Sequence, residues 1–187
     1  EVKDASDLQD IKNVKGDEAY TMNPNNMRVW DAKGNDIYYQ GTTQKALPVD
    51  VSISYQLDGK PISAEDLAGK SGRVTIRFSY QNNQKETIEI DGKKETVYVP
   101  FVMLTGAVLD NDVFSNVQIS NGKLLSDGDR SVVMGFAMPG LQESLNLDKR
   151  KLEIPDYVEL TADVKDFRLD TTLTVASNDI FNHLDLE

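Results

Sequence analysis

Residues 47–82, LPVDVSISYQLDGKPISAEDLAGKSGRVTIRFSYQN, constrain the fold more than any other stretch. At their start Leu47, Val49, Val51, Ile53, Tyr55 and Leu57 alternate with Asp50, Ser52, Ser54 and Gln56. Successive side chains of a strand point to opposite sides, so the pattern predicts a strand with one buried and one wet face. At their end Val74, Ile76, Phe78 and Tyr80 alternate in the same way with Arg73, Thr75, Arg77 and Ser79. Asp58-Gly59 reads as a turn, because glycine accepts positive φ. Ser63 reads as the cap of a short helix over 64–68, with Asp66 three residues on and Gly69 as its left-handed terminator. A one-residue slip would expose every apolar side chain, so the register is strongly specified.

The flanking chain follows the same grammar. Before it, Leu8 and Ile11 have a loosely helical spacing, with Ser6 as a possible cap. Short strands are expected over 20–22, 27–31 and 36–40, separated by Asn23-Pro24-Asn25-Asn26 and Lys33-Gly34-Asn35. After it, Asp91-Gly92 and Asn121-Gly122 are hairpin signals, the latter the sharpest in the chain. Residues 96–105 are apolar on both sides and read as a central strand covered on both faces. Pro100 demands a bulge or a change of sheet there. Asp127-Gly128-Asp129 turns into an apolar strand over 131–138, and Leu141 and Leu145 fit a short helix. Residues 157–165 and 167–175 alternate and read as two strands or one bent strand. Ser177, Asn178 and Asp179 read as a helix start, followed by Ile180, Phe181 and Leu184.

Many short strands between Gly, Asn and Asp turns predict an all-β, antiparallel, Ig-like β-sandwich with one or two short helices. The expected organisation is a small N-terminal hairpin and irregular portion (1–41) packed on the main domain. A sandwich over 42–176 follows, and 177–187 begins a C-terminal helix. Beginning at Glu1, the sequence reads as a piece of a longer protein. No apolar run approaches the ~18–20 residues that span a bilayer.

The 187 residues carry a formal charge of −11, which makes nucleic acid an unsuitable partner, since phosphate contact needs clustered Lys and Arg. There is no cysteine, so disulfides and thiolate metal sites are excluded. His183 is the only histidine, too little for a typical zinc site or a well-placed catalytic base. Asp110-Asn111-Asp112 and Asp127-Gly128-Asp129 flank one expected hairpin. Their carboxylates Asp110, Asp112, Asp127 and Asp129 are the candidate ligands for Ca²⁺, which takes six to eight oxygens. The same residues are also ordinary turn formers. Asp31, Asn35 and Asp36 form a third such set. Trp30, Tyr38 and Tyr39 are a candidate contact patch for carbohydrate or protein, with core packing as the plainer reading of Trp30. No pair of carboxylates stands out for acid–base catalysis, and no catalytic residue or resident cofactor is expected, with Ca²⁺ as the alternative.

The runs DIKNVKGDE, WDAKGNDIYYQG, LPVDVSISYQLDGK, EDLAGKSGRVTIRF, VYVPFVMLTGAVLDND and MPGLQESL span nearly the whole chain. Through them it resembles the extracytoplasmic β-rich region of bacterial membrane proteins with Leu-x-x-Gly heptad repeats, related in layout to the YhgE/phage-infection-protein group. The resemblance implies a Gram-positive cell-envelope location, extracellular and anchored to the cytoplasmic membrane by flanking segments. It transfers no catalytic residue. Two functions follow as expectations. One is a non-enzymatic envelope module for protein–protein interaction, adhesion or support of an export assembly, which would present a large apolar or aromatic patch. The other is a calcium-dependent or carbohydrate-binding module, which would converge oxygens at the four Asp residues or expose an aromatic platform.

Overall fold

The computed structural model describes residues 1–178. The chain divides into two compact units between Ala46 and Leu47. Of the C-terminal helix expected over 177–187, Ser177 is instead the last residue of a strand, and 179–187, His183 among them, lie outside the described residues.

The first unit is built from five short strands: β1 (Val2–Asp4), β2 (Gln9–Asn13), β3 (Tyr20–Met22), β4 (Arg28–Trp30) and β5 (Tyr39–Thr42). They form a β1-β4-β3 sheet and a β2-β5 pair. The helical turn expected near Leu8 and Ile11 is a strand instead. Two apolar residues give too narrow a face to bury as a helix, whereas β2 gains ladder bonds to β5. The Asn23 side chain builds the β3–β4 turn by accepting from the Asn25 and Met27 N–H groups at 3.0 and 2.9 Å. Arg28 is buried, and its guanidinium donates to the Ser6 and Leu8 carbonyls, both at 2.7 Å.

The second unit is an antiparallel all-β sandwich. Its elements are β6 (Val49–Leu57), β7 (Lys60–Ile62), α1 (Ala64–Leu67), β8 (Gly72–Asn82), β9 (Lys85–Ile90), β10 (Lys93–Tyr98) and β11 (Val102–Asp110). Then come β12 (Phe114–Ile119), β13 (Gly122–Ser126), β14 (Arg130–Ala137), α2 (Leu141–Ser144), β15 (Tyr157–Val164) and β16 (Thr171–Ser177). One sheet runs β12-β15-β8-β6-β7 and the other β13-β14-β11-β16, while β9 and β10 form a separate ribbon. Val74, Ile76, Phe78, Val158 and Leu160 of the five-stranded sheet meet Met103, Ala107, Leu109, Val133 and Ala137 of the other in one core. Ser63 caps α1 by accepting from the Asp66 N–H, and Gly69 follows at φ +73°, as the sequence predicts. Asp91 and Gly92, at φ +51° and +77°, close the β9–β10 hairpin.

Four expectations are corrected. Asn121-Gly122 does not close a hairpin: β12 pairs with β15 and β13 with β14, so the chain crosses between sheets there. Gly122 lacks positive φ, and glycine is needed because a Cβ would collide with the Met134 carbonyl. Residues 96–105 are not one covered strand. Pro100 separates the ribbon strand β10 from β11, whose Leu104 and Val108 face solvent. Residues 167–175 are not one alternating strand either. Phe167 is buried before β16 begins, while Leu173 and Val175 are exposed. Finally Leu47, Val51 and Ile53 are exposed, although Val51 and Ile53 sit opposite the buried Tyr80 and Phe78. Tyr80 on β8 shares a hydrogen bond with Thr105 on β11, and Thr105 with Thr174 on β16 at 2.8 Å. The four-stranded sheet therefore ends beneath β8, and this part of β6 overhangs it.

Candidate interaction surface

The four-stranded sheet turns an apolar side outward. Alternation on β11 puts Met103, Thr105, Ala107 and Leu109 into the core, which leaves Leu104 and Val108 outside. On β14 Val133 and Ala137 go inward, and Val132, Met134 and Phe136 go out. Antiparallel register then aligns the exposed residues into rows across the strands. Leu125, Val132, Val108 and Thr171 make one row, and Lys123, Met134, Gly106 and Leu173 the next. Phe136, Leu104 and Val175 make a third. The eight large apolar residues among these are 39% to 64% exposed. Lys123 is the only charge in the three rows.

Four strands ~4.8 Å apart and about seven residues long give a face of roughly 19 by 24 Å, on the order of 450 Å². Isolated exposed aliphatics are ordinary, and a contiguous face of this size is comparable to the largest apolar patch of a typical monomer, which is often functional. One end is bounded by charge. Asp110 pairs across the ladder with Arg130, and its Oδ2 accepts from the Arg168 guanidinium at 2.8 Å. The Asp112 N–H and then Arg168 hold the Asp110 carboxyl below its usual range.

The outer side of the five-stranded sheet has the opposite chemistry. Arg73 sits opposite Asp163, Thr75 opposite Thr161 and Arg77 opposite Glu159. The Arg73–Asp163 pair closes at 2.9 Å and Arg77–Glu159 at 3.3 Å. The Arg77 guanidinium also lies 3.6 Å from the Tyr157 ring centre. Donation from the Asn116 amide, then from Arg73, lowers the Asp163 pKa.

Comparison with protein-family models, with curated proteins and with solved structures found no match.

The loops holding Asp110, Asp112, Asp127 and Asp129 do meet. The Asn111 N–H donates to the Asp129 carbonyl at 3.0 Å, and its side-chain amide to the Gly128 carbonyl at 2.6 Å. Two of the four carboxylates are engaged in turn formation: Asp110 Oδ1 accepts from the Asp112 N–H and Asp127 Oδ1 from the Arg130 N–H. Among the described residues no cluster of three or more His, Asp or Glu side chains is arranged to hold a metal ion. In the first unit Trp30 is 1% exposed, stacked on Tyr39 at 5.5 Å and tilted against Tyr20 at 4.9 Å. Tyr39 is half-buried and donates its hydroxyl to Asp4 at 2.8 Å. Of the three candidate patch residues only Tyr38 lies open, beneath the Lys15 ammonium at 4.5 Å.

A hollow of about 540 Å³ is an open trough between β10 and α2 that includes Lys85, Glu95, Tyr98 and Glu143. None of the sequence-predicted site residues lines it. The apolar face was missed in the sequence as a site, although its residues lie in plain alternation on β14 and β16.

Proposed function

We propose that this chain is a non-enzymatic interaction module, and that the outer face of its four-stranded sheet docks a protein partner. The observation that carries the reading is the set of eight exposed apolar residues from Leu104 to Val175, aligned in three cross-strand rows with one charge among them. Antiparallel sheets with one solvated face normally make that face polar. The five-stranded sheet of the same sandwich does so, and the four-stranded sheet does not. The resemblance to heptad-repeat membrane proteins supports placing the module outside the cytoplasmic membrane, in the envelope of a Gram-positive cell. There it would serve adhesion or the assembly of an export apparatus.

The test is affinity capture from detergent-solubilised envelope with three baits: the unaltered chain, Met134→Lys/Phe136→Lys on the apolar face, and Arg77→Ala on the polar face. The reading expects a discrete protein held by the unaltered chain and by Arg77→Ala, and lost with the double variant. The same proteins on all three baits would contradict it.

A further inference from the structure

Resting on the docking reading above, we infer that Gly106 is the floor of a socket at the centre of the apolar face. Its occupant is one aromatic side chain of the docked protein, with a carboxylate of the same partner on Lys123.

The chain has 12 glycines, and all but one answer to a need of its own fold. Eight have a positive φ, between +73° and +148°, which only glycine adopts freely. At Gly41, Gly122 and Gly135 a Cβ would collide with the Gln9 carbonyl, the Met134 carbonyl and the Val158 side chain. Gly106 alone has neither reason. Its φ is not positive, and a Cβ there would rest at an ordinary 3.5 Å from the Val133 carbonyl. Glycine inside a strand weakens it for want of a side chain, and often marks the close approach of another group. Here that weakness falls in the middle of β11, the strand flanked by β14 and β16.

The surroundings turn the missing side chain into a pit. Gly106 lies in register with Met134 on β14 and Leu173 on β16. Leu104 and Val108, two residues away along β11, share its outer side. These four walls are 39% to 63% exposed. Strands ~4.8 Å apart place the cross-strand walls roughly 10 Å apart, Cα to Cα, and a rise of ~3.3 Å per residue places the other two roughly 13 Å apart. Once the wall side chains take their thickness, one planar ring fits. An aromatic ring brings a large apolar area with little rotamer freedom to lose, and such anchors cluster at the centres of interfaces. Met134 is a wall that can adjust to the ring and set its sulfur against it.

Lys123 sets the partner's charge. It lies in the same row, beside Met134, and so two strands or ~10 Å from Gly106. Its ammonium has no ion pair or hydrogen bond among the described residues, and a carboxylate beside the anchor would supply one. A lipid surface needs no socket, and a chain of charge −11 is repelled by anionic headgroups.

The test probe is N-acetylphenylalanine, a ring with a carboxylate, titrated into the full chain while amide chemical shifts are followed. A ligand this small binds on the order of a millimolar. Shifts should centre on the amides of Gly106, Met134 and Leu173. Gly106→Leu fills the socket and should weaken binding at least about tenfold, Gly106→Ala less, and Lys123→Ala about threefold. Gly106→Ala should meanwhile raise the melting temperature by roughly 1–4 °C, because the fold itself does not need this glycine. A lower melting temperature in Gly106→Ala would overturn the proposal, as would shifts nowhere on the face. Binding that persists in Gly106→Leu but is lost in Met134→Lys/Phe136→Lys would also overturn it, while leaving the docking face itself intact. Probe binding seen only after removal of residues 179–187 would assign the socket to the chain's own C-terminal segment. Self-association or co-sedimentation with phosphatidylcholine vesicles, if abolished by Gly106→Leu, would assign it to a second copy or to lipid. Each of these three results would overturn the proposal.

Discussion

The two outer sides of one sandwich have the same backbone pattern and opposite chemistry. On the five-stranded sheet the outward positions of β8 and β15 pair Arg73 with Asp163 and Arg77 with Glu159 in direct cross-strand register. On the four-stranded sheet the outward positions of β11, β14 and β16 pair Leu104 with Phe136 and Val175, and Val108 with Val132. Burial does not explain the difference, because both sets face away from the core. Solubility opposes it, since exposed aliphatics promote association. The polar side suits contact with water, and the apolar side suits contact with protein.

The sharpest way to break the comparison is a pair of substitutions one residue apart on β14. Val133 is 2% exposed and Val132 is 41% exposed. Val133→Asp buries a charge and should cost more than ~4 kcal/mol, enough to unfold a marginal domain. Val132→Asp should stay within about 1 kcal/mol in urea unfolding. Equal losses would mean that the outer side is packed like a core.

On the polar side, Arg77→Ala removes a half-exposed ion pair and a stacking contact on Tyr157, and should cost about 1 kcal/mol. No loss at all would mean that this side is only a solvated surface. A smaller effect concerns acid. Asp163 and Asp110 have carboxyl pKa values below the ordinary 3.8, so the fold favours their charged forms. That stabilisation is complete above the unfolded value and disappears as pH falls through the lowered folded value. Melting temperature should therefore be flat from pH 7 to about 5 and fall below about pH 4, less steeply in Asp163→Asn. The smallest expected effect is that of Ca²⁺. With the Asp110 and Asp127 carboxylates bonded into their own turns, millimolar Ca²⁺ against EDTA should move the melting temperature by less than about 1 °C. A shift of several degrees, lost in Asp127→Ala, would instead favour the calcium-binding reading.

Local pattern was legible wherever one residue type has one physical meaning. The β8 alternation, the Ser63 cap, Gly69 and the Asp91-Gly92 turn all follow from it. It failed where two environments use the same residues. Residues 96–105 are apolar on both sides, which suggests a strand covered on both faces, yet only 102–105 belong to β11. One side of β11 is covered by the other sheet, and nothing among the described residues covers the other. A strand awaiting a partner has the same sequence as one buried within its own chain. Asn121-Gly122 failed for a related reason: glycine was required there by the nearness of the Met134 carbonyl and not by its φ. Val51 and Ile53 point the way their alternation predicts, but no sequence pattern says where the opposite sheet ends.

The most direct test of the docking face is the oxidation rate of its one methionine. Met134 is 54% exposed on the apolar side, Met22 is 48% exposed in the first unit, and Met103 is 1% exposed in the core. In the dilute purified chain, mild peroxide should convert Met134 and Met22 to sulfoxide at similar rates and leave Met103 intact, since reactivity follows exposure. In the native cell the account predicts Met134 protected several-fold relative to Met22. Met134 and Met22 reacting alike in both settings would contradict it.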